Sequence, residues 1–213
     1  MNIHSQKLQF QGAAGAIEVL RDAPGADSVP ARGVVVITHP HPLFGGSMTN
    51  KVVQTLARAF VQCGWTAVRF NFRGVGASAG RYDEGRGELD DLLAVIAQAA
   101  PMETTPALSL AGFSFGSFVA SHAVAQLWES RPIEKLVLVG VAASRFEVAL
   151  IPAALHLQTL VLHGEQDDTV PLTAVLDWAR PQALPVLVVP GVEHFFHGQL
   201  PLLKNLVTRH LNS

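Results

Sequence analysis

The sequence has a single cysteine, Cys63, so no disulfide can form within the chain. That excludes a small disulfide-stapled secreted scaffold and fits a reducing cytoplasm. Cys63 itself reads as a small core residue late in a helix. Charge is scarce as well. Fifteen Lys and Arg against 17 Asp and Glu leave a formal net charge of −2, and no basic cluster occurs anywhere. Without such a cluster to track phosphates, nucleic acid is not an expected partner. Long apolar runs are also missing. The longest, such as "LVLVGVAA", fall far below the roughly 20 residues a bilayer span needs, so no membrane partner is expected either. The first residues, "MNIHSQKLQF", lack the basic-then-apolar layout of a signal peptide.

What the chain does contain is apolar residues, 49% of its 213, enough for one domain over 1–213 with a sizeable core. The opening "KLQFQGAAGAIEVL" reads as two short strands around a Gly turn, followed by a loop from Asp22 to Arg32. Six short apolar runs come next: "GVVVIT" (33–38), "TAVRFNF" (66–72), "ALSLAG" (107–112), "KLVLVG" (135–140), "TLVLHG" (159–164) and "PVLVVPG" (185–191). None has a polar face, as expected of strands buried on both sides. Helical spacing lies between them, as in Val52, Leu56, Ala59, Phe60 and Cys63, or Leu89, Leu92, Leu93 and Ile96. This alternation predicts an α/β fold, a mostly parallel central sheet flanked by helices. Ligands of such sheets bind at the carboxyl ends of the strands, just after each apolar run.

One of those ends is "SLAGFSFGSFVA". Ser114 lies between an apolar strand and a helical pattern, with Gly112 and Gly116 two residues to either side. This is the Gly-x-Ser-x-Gly nucleophile elbow, where a strained turn lifts the serine hydroxyl from the top of the sheet. The glycines are required because the bend brings them too close for a side chain. Phe113 and Phe115 either line an apolar acyl pocket or pack beneath the elbow.

A serine hydroxyl needs a base, and the base needs a group to hold its tautomer. In this kind of sheet the chain order is Ser, acid, His. "TLVLHGEQDDTVP" offers Glu165, Asp167 or Asp168, and the pattern His-Gly-x-x-Asp-x-x-Val-Pro selects Asp167, with Asp168 second. "PVLVVPGVEHFFHG" offers His194 or His197. His194 comes first after its strand and is the expected base; His197 is expected to begin or precede the last helix. The other histidines are read as structural, His39 and His41 less firmly than the rest. One oxyanion donor is expected to be the Phe115 N–H, the other an N–H of the loop "THPHPLFGGSMTNKVV". Pro40 and Pro42 have no N–H, which leaves His41 or Leu43. Leu43 is favoured because "LFGG" runs into a flexible Gly pair.

With "HPHPLFGGSMTNKVV", "RFNFRGVGASAG" and "GFSFGS", the chain resembles the α/β-hydrolases, in particular a small cap-less group of serine hydrolases. The resemblance covers essentially the whole chain. In size it is also similar to dienelactone hydrolases, which carry cysteine where this chain has Ser114. The resemblance implies Ser114–Asp167–His194 chemistry on a small-molecule ester, thioester or lactone, with no cofactor. It does not name a substrate or an oligomeric state. Fewer than 20 residues separate Gly140 from Thr159, where larger hydrolases carry a lid. That allows one short helix at most, around "RFEVALIPAAL", and an open site.

Other readings have less behind them. "GVGASAG" has the wrong spacing for a dinucleotide loop and is not followed by an apolar helix; Arg73 there is expected to pair with a nearby carboxylate. A metal could be assembled from His39, His41, His163, Asp167 and His194, yet no H-E-x-x-H or cysteine pair supports it, and none is expected. A non-catalytic binding protein on the same fold, or an acyltransferase with the same triad, are the alternatives to an esterase.

Overall fold

The computed structural model describes residues 5–25, 32–105 and 107–213. The loop expected from Asp22 to Arg32 therefore lies in part, at 26–31, outside the described residues. Eight strands form one sheet: β1 (Ser5–Gly12), β2 (Gly15–Asp22), β3 (Val34–Thr38), β4 (Thr66–Phe70), β5 (Leu108–Phe113), β6 (Ile133–Val139), β7 (Thr159–Gly164) and β8 (Val186–Val189). Their order is β1-β2-β4-β3-β5-β6-β7-β8. The opening hairpin adds β1 and β2 antiparallel at one edge, and every pair from β4 to β8 is parallel.

Alternate residues of the strands from β3 to β7 feed two separate cores. Val34 and Val36 of β3, with Leu108 and Leu110 of β5, face α2 (Arg86–Ala99), α3 (Phe115–Leu127) and α4 (Leu172–Ala179). Val35, Ile37, Ala111 and Phe113 face α1 (Lys51–Gln62) and α5 (Leu200–Leu211). Burial on both faces is why these strands read as unbroken apolar runs. α1 begins where the Asn50 side chain accepts the Val52 N–H at 2.8 Å. It ends one residue before Cys63, which caps the helix half-buried and packs against the second of these cores.

Chain order places a crevice at the middle of the sheet. β4 lies on one side of β3 and β5 on the other, so the loops leaving β3 and β5 diverge at their carboxyl ends. Ser114 and the "HPHP" loop meet there. Between β6 and β7 the chain forms only a 3₁₀ turn over Ala153–Gln158, a little later than the short helix expected around "RFEVALIPAAL". Among the described residues no helix is long and apolar enough to cross a membrane.

Candidate active site

Ser114 is the cap of α3, with φ 57° and ψ −118°, a backbone state that L-residues adopt only when the surroundings impose it. The surroundings here are specific. A Cβ on Gly112 would come within 2.6 Å of Gly116 backbone, and one on Gly116 within 2.5 Å of Thr38 O. Two hydroxyls stitch the bend from within: Thr38 Oγ1 donates to Gly116 O at 2.8 Å, and Ser117 Oγ donates to Gly112 O at 2.8 Å. Neither Thr38 nor Ser117 was legible as a support from the sequence. The only hint was a polar residue at the end of an otherwise apolar strand.

The acid and histidine loops converge on the serine. His194 Nδ1–H donates to Asp167 Oδ2 at 2.6 Å, which leaves Nε2 free to accept the Ser114 hydroxyl at 3.1 Å. Asp167 is held by the N–H groups of Thr169 and Val170, both donating to Oδ1, at 3.0 and 2.7 Å. All three residues are buried. The remaining candidates lie outside this chain of bonds. Asp168 is exposed, Glu165 accepts the Gly191 N–H at 2.8 Å, and His197 pairs with Glu193 in the turn ahead of α5. Such a relay can pass the serine proton to the imidazole while the carboxylate holds the ring.

Two histidines read as structural turn out to brace the site. His163 is buried behind Asp167, its Nε2 3.5 Å from Oδ2 while donating to Val170 O at 3.0 Å. Burial lowers its pKa, so it stays neutral beside the carboxylate. His39 uses both ring nitrogens: Nδ1–H donates to Pro40 O at 2.6 Å, and Nε2 accepts the Phe72 N–H at 3.0 Å. With its nitrogens so occupied, His39 has no lone pair left for a metal.

The bond from His39 to Pro40 bears on the oxyanion donors. The Pro40 C=O and the His41 N–H belong to one trans peptide and point in opposite directions. Anchoring the carbonyl on His39 therefore turns the His41 N–H away from His39. No acceptor meets that N–H among the described residues. Leu43, the expected second donor, is placed differently. Its N–H donates to His41 Nδ1 at 3.2 Å, and its side chain is exposed outside the cavity. A 3₁₀ turn over Pro42–Phe44, capped by the His41 ring, causes this. The Phe115 N–H is the first of α3 and has no intrahelical acceptor.

The "RFNFRG" segment braces the loop from behind. Arg69 Nη1 donates to Met48 O at 2.9 Å, and Asn71 Oδ1 accepts the Met48 N–H at 2.9 Å, so both backbone polar groups of Met48 are clamped. Arg73 pairs with Asp91 of α2 at 2.8 Å, the carboxylate partner expected for it. Phe70 and Phe72 alternate with these polar residues and enter the core.

A cavity of about 380 Å³ opens over Ser114. Aromatic rings form much of its wall: His41, Phe44, Phe115, Phe146 and Phe195. The two phenylalanines of the elbow thus part company. Phe115 lines the cavity, 5.0 Å from His41 and 5.2 Å from Phe146 between ring centres, whereas Phe113 backs the His194 ring at 4.9 Å. Burial, followed by the nearby Arg145 charge, lowers the His41 pKa.

A parallel sheet with a serine elbow at its central crevice, facing acid and histidine loops, defines the α/β-hydrolase class. Comparison with known proteins agrees. The family model described as serine aminopeptidase, S33 (Hydrolase_4), matches residues 29–152, more than half of the chain. A crystal structure of a lidless α/β serine hydrolase from Xanthomonas campestris is 36% identical, with a TM-score of 0.87, covering 100% of this chain and 95% of that one. An α/β serine hydrolase homologue from Coxiella burnetii is also 36% identical, with a TM-score of 0.82 and 97% of each chain covered. An uncharacterized protein of Rickettsia prowazekii (strain Madrid E) is 28% identical over 198 residues, 89% of this chain and 82% of that one. The chain belongs to the α/β serine hydrolases, in the branch without a lid.

Proposed function

We propose that this protein hydrolyses carboxylic esters, thioesters or lactones through an acyl-enzyme on Ser114. The observation that carries the reading is the continuous hydrogen-bond relay from Asp167 through His194 to Ser114, at 2.6 and 3.1 Å, on the floor of the cavity. Ser114 Oγ attacks the ester carbonyl as its proton passes to His194 Nε2. Asp167 orients the ring and balances the imidazolium. The N–H groups of Phe115 and His41 hold the oxyanion, His41 taking the place first assigned to Leu43. His194 then gives the proton to the departing alkoxide, and water releases the acid by the same steps in reverse.

An ester fits the cavity better than the free amino terminus of a peptide. An aminopeptidase must seat an ammonium group, and no carboxylate lines the cavity among the described residues, whereas Arg145 does. The two charges would repel. Turnover of a p-nitrophenyl ester by wild type and by Ser114→Ala tests the proposal. The variant is expected to lose activity by about 10³-fold or more. Retained turnover would place the chemistry elsewhere.

A further inference from the structure

Arg145 differs from the other side chains around the cavity. It is the only permanently charged residue lining it among those described. Arg69, Arg73, Arg86 and Arg180 each hold a carboxylate, but no described carboxylate lies within ion-pair distance of Arg145. Glu84 and Glu147 border an adjoining groove that Arg145 also reaches, and neither lines the cavity.

The backbone that carries Arg145 is firmly anchored. The N–H groups of Arg145 and Phe146 both donate to Ala142 O at 3.1 Å. Further along, His122 Nε2–H donates to Glu147 O at 2.8 Å, and the Ala149 N–H donates to Ser121 Oγ at 3.1 Å. Phe146 stacks on Phe118 of α3, ring centres 4.7 Å apart and planes 20° apart. This is the β6–β7 connection, in which no lid is built. An exposed arginine is thereby rooted at the rim of an open cavity whose walls are in large part aromatic rings.

Resting on the esterase reading, we propose that the natural substrate is a flat, aromatic-type ester bearing a carboxylate, its ring between the aromatic walls and its carboxylate on the Arg145 guanidinium. The planar fork of Arg matches a carboxylate with two parallel hydrogen bonds. A cavity of about 380 Å³ is within the range that holds a small ligand. Offset and edge contacts from His41, Phe115, Phe146 and Phe195 favour a ring over a branched chain.

Two matched pairs of esters test the proposal. p-Nitrophenyl 4-carboxybenzoate against p-nitrophenyl 4-carbamoylbenzoate varies the charge on the acyl side, and 4-acetoxybenzoate against 4-acetoxybenzamide varies it on the alcohol side. In at least one pair, kcat/KM for the charged member should exceed the neutral one by about tenfold, equivalent to 1.4 kcal/mol, mainly through KM. Taken within each variant, that ratio should fall to about one in Arg145→Gln, stay in part in Arg145→Lys, and persist in Arg209→Gln, an exposed position that lines neither the cavity nor the adjoining groove. Added NaCl should shrink it. Equal kcat/KM within both pairs, or a preference that survives Arg145→Gln, would overturn the proposal. If none of the four esters is turned over, or their turnover survives Ser114→Ala, the esterase reading itself fails and this one with it.

Discussion

His39 offers a quantitative handle on how the site is held. It is fully buried, and its hydrogen bonds to Pro40 O and from the Phe72 N–H require the neutral Nδ1–H tautomer. A second ring proton would point Nε2–H at the Phe72 N–H. Burial lowers its pKa from 6.5 to about 4, with the Pro40 carbonyl offsetting a part. At 1.36 kcal/mol per unit, the gap is worth about 3 kcal/mol of folding free energy. The unfolded chain takes up the proton first as pH falls through 6.5. The contribution is therefore complete above about pH 6.5 and disappears progressively on the way down to about pH 4. Urea unfolding of wild type and His39→Gln between pH 7.5 and 4 isolates it, because Gln can accept from Phe72 but cannot titrate. At neutral pH the variant should be less stable, by about 1–3 kcal/mol for the lost Pro40 bond. The difference should then shift in favour of the variant by about 3 kcal/mol as the pH approaches 4. Parallel stability curves across that range would refute the reasoning.

Two further predictions concern the neighbours of Ser114. Asp167→Asn should lower kcat by about four orders of magnitude by favouring the wrong His194 tautomer, while Asp168→Asn stays within about twofold; the reverse pattern in steady-state ester hydrolysis would make Asp168 the acid. Gly116→Ala would push a Cβ to 2.5 Å from Thr38 O, so urea unfolding should record a loss of about 1–3 kcal/mol together with collapse of ester turnover. An unaltered midpoint would mean the elbow is looser than described.

Local signals carried much of the architecture. Unbroken apolar runs separated by helical stripes identify a covered parallel sheet, because a strand with helices on both faces has no solvent side. Ser114, Asp167 and His194 were legible because the elbow and the two loops each follow such a run. Elements decided by long-range geometry were not. Leu43 was favoured over His41 because flexibility at a Gly pair was the available cue. The direction of the Pro40–His41 peptide, which favours His41 in the mechanism proposed above, is set by a hydrogen bond from His39 that no local pattern reveals. Phe113 and Phe115 are indistinguishable in sequence, yet the bend at Ser114 sends them to opposite cores. Arg145 lines the cavity only because the β6–β7 connection folds back onto α3, through contacts of Ser121 and His122 that sequence spacing does not encode.

The central claim is that Ser114 is an activated nucleophile. Fluorophosphonate labelling of the folded protein, followed by peptide mapping, tests it most directly. A single adduct on Ser114, absent after unfolding in urea and strongly slowed in His194→Ala, is the predicted result. An unlabelled Ser114 in the folded protein, or an adduct that forms equally well in the unfolded chain, would contradict it.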